Sequence, residues 1–122
     1  MAQLVIDAHD LVKIYSEGPA PVKAVDNVHL HIERGEFIAL VGPSGSGKTT
    51  LLNLIGGLDT PTAGEVIING VRITSLSENQ LIDFRLHNIG FVFQAFNLVP
   101  VLTAYENVEF IMLMQRIEKK ER

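Results

Sequence analysis

Gly42-Pro43-Ser44-Gly45-Ser46-Gly47-Lys48-Thr49 is a complete G-x-x-x-x-G-K-[ST] phosphate loop. It lies between the apolar run Phe37-Ile38-Ala39-Leu40-Val41 and the apolar-rich segment Thr50-Leu51-Leu52-Asn53-Leu54-Ile55. Strand, glycine loop and helix in that order turn a string match into a mechanism. Glycine opens backbone angles closed to other residues, so main-chain N–H groups can approach an anion, and the helix start adds the positive end of its dipole. The reading is a nucleoside triphosphate site over residues 42–50. Lys48 reaches the β- and γ-phosphates as a point charge, the Thr49 hydroxyl ligates Mg²⁺, and Thr50 offers a hydroxyl to the α-phosphate. The bland alternative is a glycine-rich turn capping a helix, with Lys48 in water.

Working outward, the uninterrupted run 37–41 reads as a central strand covered on both faces. Leu4-Val5-Ile6 reads as a short strand, and His29-Leu30-His31-Ile32 as an alternating one. After the loop, Gly56-Gly57 ends a brief helix. Asn69-Gly70 between β-branched runs is a hairpin signal, because both residues tolerate positive φ. Ser77-Glu78-Asn79-Gln80 and Thr103-Ala104-Tyr105-Glu106 have the pattern of capping boxes, the second opening a helix to about Ile117. Ile89-Gly90-Phe91-Val92-Phe93-Gln94 reads as a further strand.

Composition excludes several classes. The 122 residues carry a formal net charge of −4, which is not the electrostatic footprint of a general nucleic-acid binder. Cysteine is absent, so disulfide and thiolate chemistry are absent too. No signal peptide is expected at the N-terminus, and no apolar run approaches the ~20 residues of a membrane span. His29 and His31 alternate on one strand face, but no third ligand stands at a characteristic spacing, so they read as solvent-facing.

Tyr15, Gly35-Glu36, the loop 42–49, Gly64 with its hairpin, and Gly90-Phe91-Val92-Phe93-Gln94 together resemble the first half of an ATP-binding-cassette (ABC) ATPase, over essentially the whole chain. The run Gln94-Ala95-Phe96-Asn97-Leu98-Val99-Pro100 and the segment Leu102–Val108 are similar to the subgroup serving lipoprotein release and macrolide export. The resemblance implies an α/β P-loop NTPase core with an antiparallel β subdomain, spanning residues 1–122 as a partial domain. It implies ATP and Mg²⁺ as cofactors, Tyr15 stacking on the adenine base, and Gln94 contacting Mg²⁺ and the attacking water. With Lys48, Gln94 would form the catalytic part of the site. The implied partners are transmembrane permease subunits and a second ATPase subunit, with no nucleic acid. The implied location is the cytoplasmic face of the membrane, where the protein sits peripherally.

The same resemblance implies groups that do not appear after Gln94: a Leu-Ser-Gly-Gly-Gln signature, an acidic Mg²⁺-binding strand end with its glutamate, and a later histidine. Leu76-Ser77-Glu78-Asn79-Gln80 matches the signature only in outline and reads as a helix cap. The expectation is a chain that is poorly stable by itself and hydrolyses ATP negligibly. Two classes stay open: part of a transporter's ATP-hydrolysing engine, or a non-catalytic nucleotide-binding fragment. A GTPase fits poorly, since neither Asn-Lys-x-Asp nor Asp-x-x-Gly occurs. The helix from 103, apolar around most of its girth, and the segment Phe96–Val101 are expected to pack in the core or to receive the membrane partner.

Overall fold

The computed structural model describes residues 3–95 and 98–122, in two compact units, one ending at Ser77 and the other Glu78–Arg122. Phe96 and Asn97, which belong to the expected partner-contact segment, lie outside the described residues.

The first unit is built on a four-stranded antiparallel sheet in the order β2-β1-β3-β4. Its strands are β1 (Leu4–Tyr15), β2 (Val22–Glu33), β3 (Ala63–Ile68) and β4 (Val71–Arg72). The first two are far longer than the short apolar runs suggested, because pairing between them continues through polar residues such as Asp7 and Lys13. The β3–β4 hairpin turns at Asn69 (φ 49°) and Gly70 (φ 79°), as the Asn-Gly signal requires.

The middle of β1 departs from regular pairing. Ala8 lies opposite Leu30 and Leu11 opposite Val28, so His9 and Asp10 together face the single residue His29. This is a β-bulge, and Asp10 takes φ 52° in it. Strict alternation would place Ala8 and Leu11 on opposite faces. The extra residue restores parity, and both side chains are fully buried. They form the core with Val25, Val66, Ile68 and Ile73, together with Leu54 and Ile55 of helix α1 (Lys48–Ile55). Gly64 of β3 lies against the bulge with φ 92°, and a Cβ there would stand 2.4 Å from the Asp10 carbonyl oxygen and 2.6 Å from that of His9.

The run 37–41 corrects the sequence reading. It forms no strand, and Phe37 and Val41 are almost wholly exposed. A doubly covered strand needs hydrogen-bonding neighbours on both edges. Among the described residues, the sheet uses its own four strands and none pairs with 37–41. Residues 89–94 likewise form no strand, and Val92 is fully exposed.

The second unit contains α2 (Glu78–Asn88) and α3 (Ala104–Met114). Both halves of the expected capping box form at α3: Glu106 N–H donates to Thr103 Oγ1 at 3.1 Å, and Thr103 N–H donates to Glu106 Oε1 at 2.9 Å. Those Thr103 contacts hold the Glu106 carboxyl below its ordinary range. Asn107 secures the approach to the helix by accepting from the Val99 N–H at 2.8 Å and donating to the carbonyls of Leu102 and Thr103. The helix stops at Met114, three residues short of Ile117, where Arg116 turns to φ 62°. Of its apolar side chains, Val108, Ile111, Leu113 and Met114 are about half exposed or more, and none of the helix's residues is buried. No helix among the described residues is long and apolar enough to cross a membrane.

Candidate phosphate-binding site

The loop 42–47 curls into the first turn of α1. Ser46 N–H closes a turn on the Pro43 carbonyl at 3.2 Å, and Leu51 N–H donates to the Gly47 carbonyl at 2.9 Å. Gly47 caps the helix with φ 95°. A Cβ at Gly47 would stand 2.4 Å from the Ala24 carbonyl oxygen, so only glycine lets the helix start this close to β2. No acidic side chain stands in the first turn of α1, so the positive end of its dipole is uncompensated there.

The Lys48 ammonium folds back over this turn, donating to the carbonyls of Gly42 and Pro43. Thr49 is exposed at the helix start and Thr50 half-buried. Gly42, Pro43, Ser46, Gly47 and Lys48 line one side of a cavity of about 470 Å³, and Lys23 to Asp26 of β2 line the other. The sequence reading missed this β2 wall. Val22 to Val28 shows nothing beyond ordinary strand alternation, and only the tight approach of Gly47 to Ala24 marks it. Within the wall, Lys23 Nζ lies 3.5 Å from Asp26 Oδ1, both well exposed.

Tyr15 ends β1 opposite Val22, one residue from the cavity-lining Lys23, and is itself not a lining residue. Its hydroxyl donates to Asp59 Oδ2 at 3.2 Å, and the Lys13 ammonium stands over its ring, 5.2 Å from the centroid. Lys13 also donates to Asp59 Oδ1 at 3.2 Å and to the Thr60 carbonyl at 2.8 Å. Asp59 thus ties the end of β1 to the turn that follows α1. Gln94 belongs to the other unit, exposed in a bend.

Partial burial raises the Asp59 carboxyl. The Thr60 N–H, the Lys13 ammonium and the Tyr15 hydroxyl together outweigh it and hold the group below the usual aspartate range. A carboxyl lowered in the fold stabilises it above the unfolded pKa, and that stabilisation drains away as pH falls through the lower folded value. Asp59→Asn is therefore expected to lower the melting temperature at neutral pH and to converge with the parent in acid. Melting curves that stay parallel from pH 7 downward would contradict this.

A glycine loop turning into a helix N-terminus under a lysine, beside an antiparallel sheet, defines the P-loop NTPase fold class. The comparisons narrow it. Residues 25–122 match the ABC transporter family model, and the chain belongs to that family. It is 46% identical to the lipoprotein-releasing system ATP-binding protein LolD of Saccharophagus degradans, covering 99% of this chain and 53% of that protein. It is 42% identical to the macrolide export ATP-binding/permease protein MacB of Pasteurella multocida, covering 100% of this chain and 19% of that one. Among solved structures, the dimeric ABC transporter cassette MJ0796 matches with a TM-score of 0.89 at 44% identity, covering 95% of this chain and 51% of the cassette. A post-hydrolysis state of the same cassette, bound to ADP and Pi, matches equally well. The chain spans about half the length of the curated relatives it matches.

Proposed function

We propose that this chain supplies the ATP-binding portion of the ATPase subunit of an ABC transporter. The observation that carries the reading is the Lys48 ammonium poised over the turn where Gly47 starts α1. Main-chain N–H groups of residues 42–48, the helix dipole and this cation favour a polyphosphate tail, with Pro43, Ser44, Gly45 and Ser46 shaping the loop around it. Thr50 would offer its hydroxyl to the α-phosphate, and the exposed part of the Tyr15 ring would meet the adenine. Thr49, exposed at the helix start, and Gln94 carry oxygen donors suited to a hard cation. Bound Mg²⁺ would neutralise part of the phosphate charge.

The test is equilibrium titration of the chain with ATP, with Mg²⁺ present and with Mg²⁺ chelated. Tighter binding with Mg²⁺ is expected. Thr49→Ala should erase most of that difference, about tenfold for one lost hydrogen-bonding or ligating group near 1.4 kcal/mol. A variant that keeps the full Mg²⁺ dependence would remove Thr49 from the site. Binding without appreciable turnover is expected of this chain alone. The lining residues include one carboxylate, Asp26, and it faces Lys23.

By analogy with the named relatives, the partners would be transmembrane permease subunits and a second ATPase subunit, with the protein peripheral on the cytoplasmic face of the membrane. The exposed apolar side chains of α3 are the surface we assign to the membrane partner. Val108→Ser with Ile111→Ser should reduce co-purification with that partner while leaving ATP binding intact. Undiminished co-purification would reject the assignment.

A further inference from the structure

Three side chains outside the phosphate loop converge on one point of the sheet. Asp7 of β1 lies directly opposite His31 of β2. His9 follows Asp7 by two residues, on the same strand face. His9 Nε2 is 2.8 Å from Asp7 Oδ1, and His31 Nε2 is 3.0 Å from the same oxygen. The imidazole rings meet edge to face, 5.4 Å between centroids. Ala8, the neighbour of both Asp7 and His9, points into the core, so the cluster occupies the opposite face of the sheet. None of its residues lines the cavity at the phosphate loop.

The carboxylate oxygen at the centre is the informative atom. Asp7 Oδ1 is shielded from solvent yet accepts no hydrogen bond of good geometry, although two ring nitrogens lie within 3.0 Å. Two ring nitrogens and one carboxylate oxygen, each able to donate a lone pair, all lie within 4.8 Å of one another. A single cation there would satisfy all three. Ligands bonded to a tetrahedral ion at about 2.0–2.1 Å sit roughly 3.3 Å apart, so the two nitrogen–oxygen contacts would open by a few tenths of an ångström.

We propose that Asp7, His9 and His31 bind a divalent transition-metal ion of the Zn²⁺ class. Two imidazoles with one carboxylate favour such ions over Mg²⁺ or Ca²⁺, which prefer all-oxygen shells. Three protein ligands leave a fourth position for water. The side chains keep 38%, 24% and 52% exposure for His9, Asp7 and His31, so an ion can enter from solvent. Beyond His9 the bulge sets His29 against Asp10, whose Oδ1 is 3.3 Å from His29 Nε2. Because the ligands come from two strands, the ion would staple β1 to β2.

The test uses the tag-free 122-residue chain, stripped with a chelator and free of nucleotide. Titration with Co²⁺ should give the visible absorption of four-coordinate cobalt at one ion per chain, displaced by Zn²⁺. His9→Ala and His31→Ala should each weaken binding at least about tenfold, on the scale known for losing metal-site partners. His29→Ala should leave it unchanged. In the unmodified chain, Zn²⁺ should shift the ring signals of His9 and His31 in NMR spectra and leave those of His29 and His87 in place. This second readout needs no variant to fold. The proposal is overturned if Co²⁺ binds no more tightly than to the His9→Ala, His31→Ala double variant. It is equally overturned if His29→Ala weakens binding as much, or if all four histidines respond alike.

Discussion

Lys48→Ala is expected to weaken ATP binding by on the order of 30- to 100-fold. The ammonium is held over the turn that begins α1 by the carbonyls of Gly42 and Pro43. A charge-assisted hydrogen bond is worth about 1.5–3 kcal/mol, and each 1.4 kcal/mol is tenfold in affinity. Loop amides and the helix dipole remain in the variant, so residual binding should persist and should become less selective for triphosphate over diphosphate. Lys48→Arg should recover little, because a planar guanidinium does not reproduce a compact point charge. Isothermal titration on variants with unchanged far-UV circular dichroism is the measurement. Affinity within threefold of the parent would show that the lysine does not hold the phosphate.

The second large effect is expected at Gly64 and is one of stability. Alanine at φ 92° strains the backbone by about 1–2 kcal/mol by itself. Its Cβ would also meet the carbonyls of Asp10 and His9 at 2.4 and 2.6 Å, main-chain atoms that cannot swing aside. Relief requires β3 to separate from β1 or the bulge to flatten and expel Leu11 from the core. A total of about 3–4 kcal/mol is expected, a large share of the 5–15 kcal/mol typical of whole domains. Gly70→Ala is the matched control: φ is 79° there, but no atom lies within 4 Å of the added methyl. Urea midpoints should separate the two variants clearly. Equal midpoints would mean that the close approach at Gly64 is not what the fold depends on.

Local chemistry was the part of this fold open to reading from residues. Asn69-Gly70 announces its hairpin because the turn type demands those angles, and Thr103 with Glu106 announces a helix start because the two groups satisfy each other. The phosphate loop declares itself for the same reason. Features that depend on distant partners did not. The run 37–41 has the composition of a central strand, but composition carries no information about whether neighbours pair with it. The β2 wall of the cavity depends on Ala24 meeting Gly47 across the chain. By sequence His31 stands with His29, two residues away on one alternating run. Its actual neighbour is Asp7, brought opposite by pairing, and the third member, His9, follows Asp7 by two residues on the same strand face.

The bulge in β1 has a consequence for how the sheet assembles. Plain alternating strands can slide by two residues and still present the same faces, which is how ladders mispair and seed aggregates. With an extra residue in the middle strand, a glycine notch beside it in β3 and His29 answering it in β2, a displaced ladder would press side chains into the Asp10 carbonyl and turn Leu11 toward water. The irregularity acts as a keyway. It admits one alignment of three strands and makes its near neighbours costly, so the correct pairing is selected as the sheet forms.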